Sequence, residues 1–225
     1  AQEGLRTVEG TLSEALEKVF HRPVEIISAG RTDAGVHAHG QRANIKVDLK
    51  IDIGNLPRVC NQHLAEDVTV VAAEIVDEDF HARFRAREKH YRYIIYNGRY
   101  EHALYYHRAA QVPYPLDEER MLRGLKKIVG THDFYAFVGR HGQRDRTVRT
   151  INDIQIDRRG DLIMVDFYAM SFLKNMIRII MGTAIQIGRG LVAEDALYKA
   201  TLTKDRKDLG PTAPPEGLYL MEINY

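Results

Sequence analysis

The sequence predicts an α+β protein made of two ferredoxin-like halves, each a small antiparallel sheet backed by helices. Three observations predict it. Short apolar runs bounded by turn residues alternate with stretches whose apolar positions recur every three or four residues. The first third reads helix, strand, strand, helix, strand, most of a ferredoxin-like or RNA-recognition-like unit, which normally opens with one further strand. From about residue 83 the same mixture returns, with a hairpin and a closing strand. The halves, 1–82 and 83–225, are expected side by side, their sheets joined and a cleft between them.

The elements follow in order. Thr11 to Val19 sets Leu12, Ala15, Leu16 and Val19 on one helical face. Val24 to Ile27 and Gln41 to Val47 read as strands around a loop. Ile53 to Leu64 has helical spacing, with Pro57 against it. Val68 to Ile75 reads as a buried strand and Tyr91 to Tyr96 as another. Glu118 to Val129 is a helix closed by Gly130. Ile151 to Ile156 and Leu162 to Ala169 form a hairpin around Arg158-Arg159-Gly160-Asp161. Leu173 to Ile187 is a strongly apolar helix and Glu194 to Leu202 a shorter one. A loop holding Pro211, Pro214 and Pro215 leads into the last strand, Gly217 to Asn224.

Composition bounds the class. The 225 residues are 44% hydrophobic and 28% charged, ordinary for a globular chain. No apolar stretch approaches the roughly 20 residues that span a bilayer, and no signal-peptide pattern is seen. A lone Cys60 excludes a disulfide framework and a cysteine zinc site, so a reducing, cytosolic setting is expected. Net charge is only +1. Acids gather at Asp77-Glu78-Asp79 and Asp117-Glu118-Glu119, which leaves basic clusters elsewhere to act locally.

Chemistry concentrates at three places. Gly30-Arg31-Thr32-Asp33-Ala34-Gly35-Val36-His37-Ala38-His39 is a loop between strands, with glycines that permit close approach of a ligand to Asp33. Its plain alternative is a turn whose Asp bonds its own backbone. Arg178 interrupts the apolar run Phe172 to Gly182, and a buried guanidinium requires a carboxylate: Asp33, or Asp166 on the preceding hairpin. Finally, an extended chain from Arg83 would place Arg83, Arg85, Arg87, Lys89, Tyr91 and Tyr93 on one side. Cations ending in aromatics suit phosphates and an unpaired base; a solvated strand edge is the alternative. Arg140, His141, Arg144, Arg146 and Arg149 form a further basic cluster, either an RNA grip or an ordinary surface loop. His37-Ala38-His39 lacks the further ligands of a zinc site, and neither a Walker A loop nor a dinucleotide fingerprint is present.

Together the Arg31-to-His39 loop, the Lys89-His90-Tyr91-Arg92-Tyr93 strand and the Leu173-to-Gly182 helix resemble the TruA family of tRNA pseudouridine synthases. The resemblance runs in family order from about Gly4 to Tyr225. It implies the pseudouridine synthase fold with a central RNA-binding cleft. It also implies Asp33 as nucleophile, Arg178 pairing with it across the cleft, and Tyr91 stacking on the target uracil. Arg31 would fill the space left by a flipped base, and Leu218, in Thr212 to Leu220, would line the pocket. The implied substrate is a uridine in the anticodon stem-loop of tRNA, with no cofactor and no metal, worked on by a cytoplasmic homodimer. The rivals are a synthase for other RNA sites, a non-catalytic tRNA-binding or tRNA-folding protein, and an aspartate-based nucleoside hydrolase. One departure is plain: family members usually begin with a strand and a Phe-x-Gly-Trp-Gln segment, and this chain contains no Trp.

Overall fold

The computed structural model describes residues 5–139, 142 and 145–225. In chain order its first elements are α1 (Val8–Phe20), β1 (Ile26–Ser28), β2 (His37–Ala38), β3 (Ala43–Ile45) and α2 (Leu56–Asn61). Next come β4 (Glu88–Tyr96), β5 (Ala110–Gln111), α3 (Glu118–Lys126), β6 (Gly130–Asp133), β7 (Val148–Arg159) and β8 (Leu162–Ala169). The last are α4 (Met176–Gly188), α5 (Ala196–Thr203) and β9 (Leu218–Asn224). The mixed α+β class is the one expected. Two compact units emerge: the residues through Arg31 with Arg42–Arg85, and Thr32–Gln41 with Ala86–Tyr225. The Asp33 segment, assigned to the first half from sequence, therefore packs as part of the second unit.

In the first unit α1 starts at Thr7, whose side chain accepts the Gly10 amide at 3.0 Å, and ends at His21 in a left-handed conformation. Leu16, Val24, Leu56 and Cys60 form its small core. Pro57 sits in the first turn of α2, where its missing N–H costs nothing, so it helps to begin the helix. β1 and β3 pair antiparallel as a two-stranded sheet, separate from the larger one. The expected joining of sheets is thus not made through strand pairing among the described residues. The predicted strand at 68–75 is not formed either. Val71 and Ile75 are 82% and 78% exposed, and Val70 bonds through both backbone groups to the Asn61 side chain. A side-chain amide takes the place a neighbouring strand would fill.

The second unit is a seven-stranded sheet in the order β2-β9-β4-β8-β7-β6, with β5 beside the end of β4. Strand alternation gives it two different faces. Tyr93, Ile95, Ile163, Val165 and Phe167 point into the main core with α3, α4 and α5, while Arg92, Asp166 and Tyr168 lie on the other face. A bulge in β7 between Ile151 and Asp153 lets both Ile151 and Ile154 reach the core. Helix α4 is buried almost all round, as its uniform apolarity requires. At Gly182 a Cβ would stand 1.7 Å from the Pro211 carbonyl, so only glycine lets the proline-rich loop cross this helix.

Candidate active site

The site forms within the second unit, where three segments converge. The first is β4. Tyr91 lies on the core-facing side of the strand, one place from fully buried Tyr93 on that face, and meets Phe172 edge-on at 5.3 Å. Opposite β9 the register shifts between His90 and Tyr91, so the strand bends at the residue before the ring.

The second segment is the start of α4. Asn175 occupies its N-cap in a left-handed conformation (φ 62°), which asparagine tolerates better than most residues. Its carbonyl oxygen Oδ1 accepts from Arg178 Nη1 at 3.0 Å, while Arg178 Nε donates to the Ala213 carbonyl at 2.9 Å. Ala213 returns a backbone bond to the Arg178 carbonyl at 2.9 Å. The guanidinium is thereby fixed before any acid reaches it. Its Nη1 then stands 3.5 Å from Asp33 Oδ2, with the two side chains 16% and 27% exposed.

The third segment is the Asp33 loop. Its amides and carbonyls are anchored after the acid: the Val36 amide bonds back to the Asp33 carbonyl at 3.0 Å, and His37 and Ala38 pair with Tyr219 and Leu220 of β9. Gly35 has φ +80°, and a Cβ there would sit 2.9 Å from Pro215. The 211–217 loop thus ties all three segments together. It touches Arg178 through Ala213, Gly35 through Pro215, and Tyr93 through the Pro214 carbonyl, which accepts the Tyr93 hydroxyl at 2.8 Å.

This geometry leaves a carboxylate beside a fixed cation and near an aromatic ring. Burial, and then the negative charge of Asp33, push the Tyr91 phenol up to about 12, so it stays neutral through the physiological range. A neutral ring can stack, and a partly exposed carboxylate can attack. Of the residues expected here, Asp33, Arg178 and Tyr91 come together. Arg31 is exposed and belongs to the first unit. Leu218 is 6% exposed and part of the core, paired with Tyr93 in the sheet.

Two expectations need correction. Asp33 and Arg178 do not come from separate halves: both belong to the second unit. The basic ladder is also broken, because the His81 carbonyl accepts the Phe84 and Arg85 amides, a turn that keeps Arg83 and Arg85 out of the strand. Arg85 instead bonds to Asp79. In the 139–149 cluster, Arg140, His141 and Arg144 lie outside the described residues. Arg146 borders an open groove of about 510 Å³ that also has Asp133 and Asp145 on its walls, and Arg149 donates to the carbonyls of Arg146 and Val148. Phe172, Asn175 and Ala213 escaped sequence reasoning. Only Asn175 carried a signal, as a polar residue opening an apolar helix.

Comparison with known proteins bears directly on this site. A family model described as tRNA pseudouridine synthase matches residues 125–225, which include Arg178 and the 211–217 loop. The tRNA pseudouridine synthase A of Thermoanaerobacter sp. (strain X514) is 41% identical over 224 residues, covering 100% of this chain and 92% of its own length. This chain belongs to the TruA family. The same holds against other TruA proteins: that of Acetivibrio thermocellus is 38% identical with 92% of its length covered, and that of Colwellia psychrerythraea 37% with 86% covered.

Proposed function

We propose that this protein isomerises uridine to pseudouridine in tRNA, in the anticodon stem-loop, with Asp33 as the nucleophile. The observation that carries the reading is the Asp33 carboxylate lying 3.5 Å from Arg178 and close enough to Tyr91 to act on its phenol, in a member of this family. The reaction breaks the bond between C1′ and N1, turns the base and joins C1′ to C5; C5 then loses its proton and N1 takes one up, so the product is an isomer of the substrate. It is redox-neutral. Arg178 orients Asp33 from 3.5 Å. Tyr91 stacks on the extruded base, whose removal from the helix costs on the order of a few kcal/mol and must be offset by stacking and phosphate contacts. Arg31, next in chain to the loop, fills the vacated space. The working unit is a cytoplasmic homodimer, to be checked by sedimentation at micromolar concentration.

The test is direct. Unmodified tRNA transcripts incubated with the protein should gain pseudouridine at mapped anticodon-arm uridines, and Asp33→Asn should gain none while binding tRNA within a few-fold of wild type. Modification confined to other positions or other RNAs would move the assignment to a different synthase. Turnover retained by Asp33→Asn would remove Asp33 from the mechanism. Conversion of free uridine to base and ribose would favour a hydrolase.

A further inference from the structure

Resting on that reading, we propose that residues 99–108, the connection between β4 and β5, form a second RNA-contact surface that stacks unpaired bases of the substrate near the target nucleotide. The segment is rigid from within. The Tyr96 ring packs on Tyr105 at 5.1 Å and edge-on to His102 at 5.8 Å. The His102 Nδ1 accepts the Leu104 amide at 3.3 Å, capping a short 3-10 turn, Ala103–Tyr105. Its outward side chains are bare: Tyr100 is 72% exposed and Tyr106 66%. Exposed rings on a pre-organised loop lose little freedom when a base covers them.

Charge selects the occupant. The Arg99 guanidinium lies over the Tyr100 ring at 5.3 Å. Among the described residues neither Arg99 nor Arg108 has a carboxylate partner, although other surface arginines (Arg6, Arg123, Arg159) do. Glu101 is the only acid in the segment. Burying these cations against a second copy of the same cationic segment would set like charges together. A polyanion with stackable bases satisfies both the rings and the guanidinium groups.

Placement links the surface to the reaction. His37, four residues after Asp33, stacks on Tyr219 at 4.6 Å and donates through Nε2 to the His107 carbonyl at 2.8 Å. The Tyr219 hydroxyl donates to the next carbonyl, Arg108, at 2.6 Å. Two consecutive carbonyls of the segment are thus gripped by rings of β2 and β9, and β2 is continuous with the Asp33 loop.

Two variants test the proposal: Tyr100→Ser with Tyr106→Ser, and Arg99→Gln with Arg108→Gln. Steady-state pseudouridine formation and salt-dependent filter binding on an unmodified tRNA transcript give the readout. The tyrosine pair should raise KM and Kd about 5- to 20-fold with kcat within about two-fold, since stacking is lost but the chemistry is not. The arginine pair should make the log Kd against log salt plot shallower by roughly 1.4–1.8, for two lost phosphate contacts. Unchanged KM and Kd in both variants, or a fall in kcat at constant KM, would overturn it. So would a shift to monomer on sedimentation, which would make the surface a contact between copies. Weakened tRNA binding by both variants, with a wild type that forms no pseudouridine, would support this surface while rejecting the catalytic reading.

Discussion

Two of the arginine–carboxylate pairs in the second unit, Arg92–Asp166 and Arg178–Asp33, lie on opposite sides of its sheet and are built differently. On the outer face Asp166 is 6% exposed and saturated: Arg92 donates to both its oxygens at 2.8 and 3.0 Å, and His90 Nε2 lies 2.6 Å from Oδ1. His90 also stacks on Tyr168 at 4.5 Å. On the other side Asp33 has a single contact with Arg178, at 3.5 Å, and Arg178 spends its shorter bonds on Ala213 and Asn175. A carboxylate that is fully bonded is held inert, because reacting would forfeit every bond it makes. One that is oriented by a neighbouring cation yet left with open lone pairs can attack. The sheet therefore separates a pair that locks β4 in register from a pair that is free to do chemistry, with Tyr91 between His90 and Arg92 on the same strand.

The contrast can be broken at either end. Asp33→Asn removes the proposed nucleophile and should lower pseudouridine formation by on the order of 10³-fold or more, with melting temperature hardly changed. Arg178→Lys cannot reproduce the planar fork that reaches both Ala213 and Asp33, and about a 10²-fold loss of kcat is expected. Asp166→Asn should do the reverse. It leaves Arg92 without its charge partner, for a stability loss of about 2–3 kcal/mol in urea unfolding, less than a fully buried pair because Arg92 is 32% exposed to water. Activity per folded molecule should stay within a few-fold. Were Asp166→Asn to abolish activity in fully folded protein, the division of labour would be wrong.

The smallest effect concerns pH. The Tyr91 phenol has its folded value raised from 10.0 to about 12, so the folded state holds this proton more tightly than the unfolded chain does. Its contribution is complete below about pH 10 and declines as pH rises towards 12. Tyr91→Phe should therefore flatten the loss of stability over that window. Some slope will remain, because burial also raises the phenol of Tyr93. Activity of Tyr91→Phe should stay within a few-fold, since the ring survives.

Much of this was legible in the chain. The apolar period of α4, the alternation of β4 and β8, and the turn at Gly160 (φ +60°) are local patterns that dictate local structure. The failures share a cause. Val68 to Ile75 has the composition of a strand, but a strand needs a partner, and Asn61 supplies only one residue's worth of bonding. The two-residue β2 is invisible for the converse reason: it exists because β9 lies beside it. The ladder from Arg83 assumed an extended chain where backbone bonds to His81 make a turn.

By itself the sequence determined the α+β class, the family, and three residues that meet at the candidate site, because motif identity and hydrophobic period are properties of neighbours along the chain. Only the tertiary structure decided that Asp33 packs with the body carrying Arg178, that Asp166 is occupied on the opposite face, and that the 211–217 loop binds the site together. Those facts depend on which carbonyls, carboxylates and guanidinium nitrogens meet across 35 to 145 residues of chain, and such meetings are set by packing rather than by spacing in the sequence.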